Sequence, residues 1–86
     1  MFYVYVVKSP LAETVYIGFS ANLKQRIGEH MDMPGHQGWK LVYYEAYLDE
    51  SDARTRERKL KQYGASWGHL KSRIQQSLAQ ALERAG

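Results

Sequence analysis

The strongest constraint on the fold is a pair of alternating segments at the start of the chain. Residues 2–8 place every second side chain on one face, and residues 14–19 repeat this pattern. Successive side chains of a strand point to opposite faces, so the pattern is typical of half-buried strands. The intervening residues, Ser9 to Glu13, include Pro10 and carry a turn signal. The sequence therefore predicts a β-hairpin built from these two strands.

The middle of the chain predicts a helix, a loop and a third strand. A helix is expected over residues 21–31, with Ser20 as its N-cap. Residues 32–38 contain one proline and two glycines, which favours a loop. Residues 39–48 are rich in aromatic and branched side chains, which is typical of a strand.

The last third of the chain predicts two more helices. Ser51 is expected to cap the first of them and Gly64 to end it, and the last helix begins near Ser66. The last helix carries apolar side chains three or four residues apart: Trp67, Leu70, Ile74, Leu78 and Leu82. That apolar face either covers the sheet or docks a partner or a second copy. The order ββαβαα predicts an α+β domain, a small three-stranded antiparallel sheet flanked by helices.

Length and composition exclude several classes of protein. A chain of 86 residues fits one hydrophobic core, so residues 1–86 are expected to form a single domain. The absence of cysteine excludes disulfides, cysteine zinc sites and a thiol nucleophile, and it fits a cytoplasmic protein. No apolar run approaches the roughly 20 residues that span a bilayer, so we expect no membrane partner. The histidines also lack the spacing of zinc ligands.

Basic residues cluster in the second half of the chain. The net charge is +3, and one short segment contains Arg54, Arg56, Arg58, Lys59 and Lys61. Lys71 and Arg73 follow soon after. Such a cluster is typical of a solvated helix face, or of a surface that contacts the phosphates of nucleic acid.

Two tyrosines and a glycine of the predicted hairpin are candidate site residues. Tyr5 and Tyr16 each lie opposite the Val/Ile side of their strand, so two phenol groups could point to one place. Tyrosine also favours strands for structural reasons alone. Gly18 either lets a ligand or another backbone approach closely or simply starts the turn into the helix.

Three charged or titratable residues of the predicted helices are further candidates. Arg26 and His30 are four residues apart and share a helix face, where they offer a phosphate-binding guanidinium and a titratable imidazole. The same pair would be unremarkable as an exposed stripe. Glu57 falls on the apolar stripe of its helix, where a carboxylate needs a cation, a metal or hydrogen bonds. A salt bridge to a nearby arginine would also satisfy it.

In order along the chain, these residues resemble the motifs of the GIY-YIG nuclease family. The corresponding segments are Tyr3-Val4-Tyr5, Tyr16-Ile17-Gly18, Arg26, His30, and Ala53, Glu57, Leu60 and Lys61. The resemblance runs from about residue 2 to residue 75 and is closest to short stand-alone bacterial members, which are related to the nuclease domain of an excision-repair enzyme. Tyr3 replaces the motif glycine. The chain also has no asparagine after Asn22, although several family members use one there.

The resemblance implies a metal-dependent endonuclease that hydrolyses phosphodiester bonds by in-line attack with a single metal ion. Glu57 would bind Mg²⁺ or Mn²⁺, and Tyr5 or Tyr16 would be the general base. Arg26 would bind the phosphate, and His30 would be a secondary proton carrier. The expected contacts to nucleic acid are Gly18, Lys24, Lys59, Lys61, Lys71 and Arg73.

The expected partner is nucleic acid, DNA in preference to RNA, and the protein is expected to be a monomer or a weak dimer. The missing asparagine motivates an alternative, a nucleic-acid-binding module of the same fold with weak or no catalysis. Metal-dependent product formation, as opposed to binding alone, separates the two.

Overall fold

The computed structural model describes residues 1–82. Its three strands, β1 (Phe2–Lys8), β2 (Val15–Ser20) and β3 (Lys40–Tyr47), form one antiparallel sheet. β1 lies between the other two, in the order β2-β1-β3. The predicted hairpin and third strand are therefore confirmed, as is the α+β class.

Four helices accompany the sheet: α1 (Leu23–Met31), α2 (Glu50–Gln62), α3 (Gly64–Arg73) and α4 (Gln75–Ala81). The order ββαβαα holds, but the predicted last helix is divided at Ile74, where φ is −118° and ψ is 29°. The Ile74 N–H donates to the carbonyls of both Leu70 and Lys71, so this backbone donor stays bonded where the helix is interrupted. Gly64 does not end α2 as expected. Tyr63, in an extended conformation, separates the two helices, and Gly64 is the first residue of α3.

The two predicted N-caps were wrong by two residues each. Asn22 caps α1, because its side-chain oxygen accepts a hydrogen bond from the Gln25 N–H at 3.1 Å. The Ser20 hydroxyl instead accepts from the N–H of Asn22 at 2.9 Å. Asp49 caps α2 by accepting from the N–H of Ser51 at 2.8 Å, so Ser51 already lies inside the helix.

The core lies between one face of the sheet and the helices that follow β3. It is formed by Val4, Val6, Ile17, Ala53, Leu60 and Leu70. Leu70 and Leu78 are buried, as expected if the apolar face of the last predicted helix covers the sheet, whereas Leu82 is 40% exposed. None of the helices within residues 1–82 is long and apolar enough to cross a membrane.

The opposite face of the sheet carries most of the candidate site residues. In the register of the sheet, Tyr5 of β1 lies between Gly18 of β2 and Tyr44 of β3. Directly paired residues point to the same face, so these three positions form a row across the sheet. α1 follows β2 directly, and its one buried residue is His30. This was unexpected, because the sequence placed His30 on the polar stripe.

Candidate active site

Tyr5 is the buried residue at the base of the site. Its side chain is 1% exposed, and a Cβ added at Gly18 would collide with its ring and hydroxyl group. Only glycine therefore fits beside this tyrosine. Of the two roles that the sequence left open for Gly18, the structure shows the close approach of another group, here the Tyr5 side chain. Burial and the neighbouring Tyr16 raise the pKa of Tyr5, while the guanidinium of Arg26 opposes that rise. Tyr5 is therefore protonated near neutral pH.

Tyr16 lies beside Tyr5 and faces solvent. The centres of the two rings are 6.3 Å apart, so the prediction that both phenol groups meet is confirmed. Tyr16 is 42% exposed, and its ring centre lies 5.2 Å from that of His30. The ammonium of Lys61 is 5.8 Å from the centre of the Tyr16 ring. Tyr16 is thus the accessible member of the pair, with a cation and an imidazole beside it.

The two tyrosines and α1 enclose an open cleft of about 320 Å³, which we call the tyrosine cleft. Its walls are Tyr5, Tyr16, Arg26, Glu29, His30, Met33 and His36. Arg26 is about half exposed and forms a 3.6 Å ion pair with the similarly exposed Glu29. An exposed pair of this kind contributes little to stability, so its guanidinium is free to exchange the carboxylate for a phosphate. Tyr5, and to a lesser degree Glu29, raise the pKa of Arg26, which stays charged.

A histidine pair, absent from the sequence interpretation, forms one end of the tyrosine cleft. The Nε2 of buried His30 lies 2.9 Å from the Nδ1 of His36, so the two rings share one hydrogen bond. Trp39 stacks on His36, with ring centres 4.8 Å apart and an angle of 14° between the planes. Burial, followed by the charges of His36 and Arg26, lowers the pKa of His30. His30 is therefore neutral near pH 7.

The loop after α1 folds back and brings His36 into contact with His30. Gly35 and Gly38 have φ values of 84° and 81°, in the region that glycine adopts without strain. These two residues let the loop fold back onto the end of α1. The sequence signals for this contact were a histidine in the loop and a tryptophan directly after it, and these do not specify a partner.

Glu57 lies on α2, on the side that faces β2. Arg54, Glu57 and Lys61 are three or four residues apart and share a helix face. Arg54 lies over the Phe19 ring at 4.1 Å, and Lys61 lies near Tyr16, so this face runs along β2. The Glu57 side chain is 20% exposed and accepts a 2.9 Å hydrogen bond from Lys61. Because Lys61 lies 5.8 Å from the centre of the Tyr16 ring, the carboxylate that it bonds to lies on the side of α2 next to the tyrosine cleft.

The chemistry of this donor set fits a hard divalent cation. Within residues 1–82 there is no group of three or more His, Asp or Glu side chains that could enclose a metal ion. Mg²⁺ does not need such a group, because it keeps several waters and binds through one or two carboxylates together with substrate phosphate. Glu57 is one such carboxylate, and its Oε2 is the atom bonded to Lys61. It is the residue that would bind the ion.

The candidate basic contacts do not form one stripe. Lys61 lies at the site, beside Tyr16. Lys24 lines a concavity with Tyr3 and Tyr44, and Lys71 lines another with Lys8 and Glu13. Lys59 is exposed in the last turn of α2, and Arg73 lies near Tyr43. The charges are therefore distributed around the domain, with one of them at the tyrosines.

A second carboxylate, Glu45 of β3, is fully engaged by its neighbours. Arg56 donates to both of its oxygens, at 3.0 and 3.1 Å, and Tyr43 donates at 2.6 Å. Tyr47 donates to it as well. We call these four residues the Glu45 network. Burial acts to raise the pKa of Glu45, but the hydrogen bonds from Arg56, Tyr43 and Tyr47 outweigh it and bring the pKa below its usual value.

Comparison with known proteins gives a match to one family of catalytic domains. A family model described as the GIY-YIG catalytic domain covers residues 1–73, which include every residue of the tyrosine cleft as well as Glu57. No curated protein and no solved structure matches the chain.

Proposed function

The chain belongs to the GIY-YIG catalytic domain family, and from this premise we propose that it is a metal-dependent endonuclease acting on nucleic acid. We expect DNA in preference to RNA as its substrate. The observation that carries the proposal is the meeting of Tyr5, Tyr16, Arg26 and His30 in one cleft, with Glu57 beside it. Hydrolysis of a phosphodiester needs a bound phosphate, an activated water and help for the leaving oxygen, and these side chains can supply each.

Arg26 is the residue that binds the scissile phosphate. Its guanidinium is charged at all relevant pH values, and its present partner, Glu29, is an exposed neighbour on the same helix. A phosphate in the tyrosine cleft would replace that partner with two parallel hydrogen bonds. Arg26 would then neutralise the charge that develops on the phosphoryl oxygens during attack.

Tyr16 is better placed than Tyr5 to act on a water molecule, because it is the accessible phenol of the two. Tyr5 is buried and its pKa is raised, so it is suited to donate a hydrogen bond and orient the water or the phosphate. Tyr16 is exposed to the cleft and has Lys61 next to its ring, where an ammonium would stabilise a developing negative charge. We therefore assign Tyr16 as the general base and Tyr5 as an orienting residue.

His30 would receive the proton that Tyr16 releases. Its ring lies next to Tyr16, and the imidazole is neutral because its pKa is lowered. The transfer requires the tautomer in which Nε2–H of His30 donates to Nδ1 of His36, because Nδ1 of His30 is then free to accept the proton and the ring orientation is fixed. His36 is thus a positioning residue that acts through His30.

Glu57 would bind the divalent ion, Mg²⁺ or Mn²⁺. When bound, such an ion polarises the phosphate as a Lewis acid and stabilises the leaving oxygen. Lys61 competes for the same carboxylate, so its ammonium must move off Glu57 when the site is loaded. The ring of Tyr16, whose centre is 5.8 Å away, can accommodate the displaced ammonium.

Cleavage of end-labelled single-stranded, duplex and flapped DNA and RNA tests the proposal, with Mg²⁺, Mn²⁺ or EDTA in parallel. We expect metal-dependent products from the parent and a loss of roughly 10²–10³-fold in rate for Glu57→Gln, by analogy with other lost electrostatic stabilisers. Glu50→Gln is the matched control. Glu50 lies on the same helix and pairs with Arg54 in the same i,i+4 geometry, but Arg54 lies over Phe19, whereas the partner of Glu57, Lys61, lies beside Tyr16. If Glu57→Gln cleaves as fast as Glu50→Gln, the assignment of Glu57 is wrong.

The alternative is a nucleic-acid-binding module with weak or no catalysis. It is favoured by the absence of any asparagine after Asn22 and by the occupation of Glu57 by Lys61. In that case the parent would show salt-sensitive gel shifts and no metal-dependent product in the assay above.

A further inference from the structure

An exposed tyrosine lies in the interior of β3, on the sheet face that carries Tyr5. Tyr44 is 53% exposed, an unusual exposure for a large aromatic side chain in the middle of a strand with neighbours on its face. Tyr3 meets it edge-on, with ring centres 6.0 Å apart and an interplanar angle of 64°. This contact fixes the orientation of the Tyr44 ring and leaves much of it open to solvent.

Tyr44 is the neighbour of Tyr5 in the sheet, although it lines a concavity separate from the tyrosine cleft. It pairs in register with Tyr5, and directly paired residues of antiparallel strands have Cβ atoms about 5 Å apart on the same face. A strand of nucleic acid with one phosphate at Tyr5 and Arg26 would therefore have an adjoining nucleotide within reach of Tyr44.

The surroundings of Tyr44 combine apolar surface with one positive charge. A concavity of about 490 Å³ lies between β3 and the start of α1, bounded by Tyr3, Leu41, Tyr44, Asn22, Lys24 and Ile27. Lys24 is exposed and brings a cation to its rim, and Asn22 brings polar groups. An aromatic ring with a cation beside it is the arrangement by which proteins bind single-stranded nucleic acid, the ring for a base and the cation for the backbone.

We propose that Tyr44, oriented by Tyr3, is a stacking site for an unpaired nucleobase, and that Lys24 contacts the phosphate of the same strand. The proposal rests on the proposed function, since it places the base beside a phosphate bound in the tyrosine cleft. Bases within a duplex are already stacked on each other, so this site selects unpaired nucleotides of single strands or flaps.

Fluorescence anisotropy in EDTA tests the stacking site without cleavage. The probes are an oligothymidylate of about 12 nucleotides, within the usual range of single-strand sites, and a strand of equal length and charge with abasic central nucleotides. We expect Tyr44→Ala to weaken binding of the intact strand by roughly 5- to 150-fold and to leave the abasic strand within about twofold. Tyr44→Thr keeps a strand-forming residue and should behave like Tyr44→Ala. Tyr44→Phe should bind like the parent.

Tyr63→Ala is the matched control, because Tyr63 is 57% exposed but lies between α2 and α3. The stacking site is refuted if Tyr44→Ala weakens both strands equally, if it weakens neither, or if the parent binds neither strand at low salt. A failure of the proposed function gives a different pattern. Base-dependent binding would persist through Tyr44, but Mg²⁺ would produce no cleavage.

Discussion

Two parts of this domain are built from the same kinds of side chain: two tyrosines, an arginine and glutamate. In the Glu45 network, Tyr43, Tyr47 and Arg56 all donate to the one carboxylate. The bonds between Arg56 and Glu45 join α2 to β3, two elements whose paired residues are eleven positions apart in the sequence. Both oxygens of Glu45 accept hydrogen bonds from these donors, so the carboxylate has a structural role.

The tyrosine cleft and Glu57 present the opposite arrangement. Arg26 pairs with Glu29 and Glu57 pairs with Lys61, in each case a neighbour on the same helix. Neither ion pair joins one element to another, and Tyr16 faces solvent. Local pairs of this kind contribute little to stability and are easily exchanged for a ligand.

The difference shows that residue type does not separate a structural carboxylate from a functional one. What separates them is whether the bonds of the carboxylate cross between elements or stay on one helix. Glu45 joins β3 to α2 through Arg56, and we infer that Glu57 binds a ligand. Four changes test this contrast, from the largest expected effect to the smallest.

The largest effect is expected for Tyr16→Phe. If Tyr16 is the general base, removal of its hydroxyl lowers the turnover rate by roughly 10²–10⁴-fold, the usual contribution of such a group. The free energy of unfolding should change by no more than about 0.5 kcal/mol, because the ring is exposed and its packing is kept. Single-turnover cleavage and urea denaturation measure the two quantities. Tyr43→Phe should instead lower the free energy of unfolding and leave the turnover rate unchanged. If both variants change the turnover rate and the free energy of unfolding equally, the two parts of the molecule do not differ in role.

Glu45→Gln should destabilise the protein by about 2–4 kcal/mol, because it leaves the half-buried guanidinium of Arg56 without a negative partner. Glu57→Gln should change the free energy of unfolding by less than about 1 kcal/mol, since its partner Lys61 is exposed. Urea denaturation of the two variants beside the parent provides the comparison. A larger destabilisation by Glu57→Gln would show that Glu57 is the structural carboxylate.

The third test concerns His36, whose Nδ1 bonds to His30. The amide of asparagine can occupy the place of Nδ1, whereas the longer glutamine matches Nε2. We expect His36→Gln to lower turnover about tenfold, as for other residues that orient a functional histidine, with an unchanged KM. His36→Asn should recover most of the activity.

If the asparagine and glutamine variants are equally impaired, His36 only fills space against Trp39. ¹⁵N–¹H correlation spectra of the imidazoles give an independent measure of the tautomer of His30. In the parent and in His36→Asn that tautomer should be the same.

The smallest effect is the acid sensitivity of the Glu45 network. The pKa of Glu45 is below its ordinary value of 4.5, so its ion pair stabilises the folded state above that value. The stabilisation is lost as the pH falls from about 4.5 through the folded pKa, where Glu45 becomes protonated. The difference in unfolding free energy between the parent and Glu45→Gln should therefore narrow below pH 4.5. A difference that stays constant down to acid unfolding would mean that the charge of Glu45 contributes nothing.

The hairpin and the meeting of Tyr5 with Tyr16 could be predicted, because the period of two in a strand fixes which side chains share a face. For Glu57, helical spacing left two outcomes open: a role in the site, or a salt bridge to a nearby arginine. Its partner proved to be Lys61, one turn away, rather than an arginine.

Other parts of the site depend on where the chain goes after α1. The bond between His30 and His36 requires the loop to fold back at Gly35 and Gly38, and no local pattern specifies that path. The two N-caps were misplaced because serine, asparagine and aspartate are nearly equivalent as caps. Only the geometry of the turn decides which of them is used.

The collision between a side chain at position 18 and the ring of Tyr5 has a consequence for sequence variation. Position 18 cannot change alone, because a larger residue there is compatible only with a smaller one at position 5, and that smaller residue removes a phenol from the cleft. A library randomised at position 18 alone should return glycine. Randomising both positions should return a second class of folded proteins that lack the Tyr5 hydroxyl. A tyrosine at position 5 therefore requires glycine at position 18, whereas the glycine does not require the tyrosine, so substitutions at the two positions are coupled in one direction only.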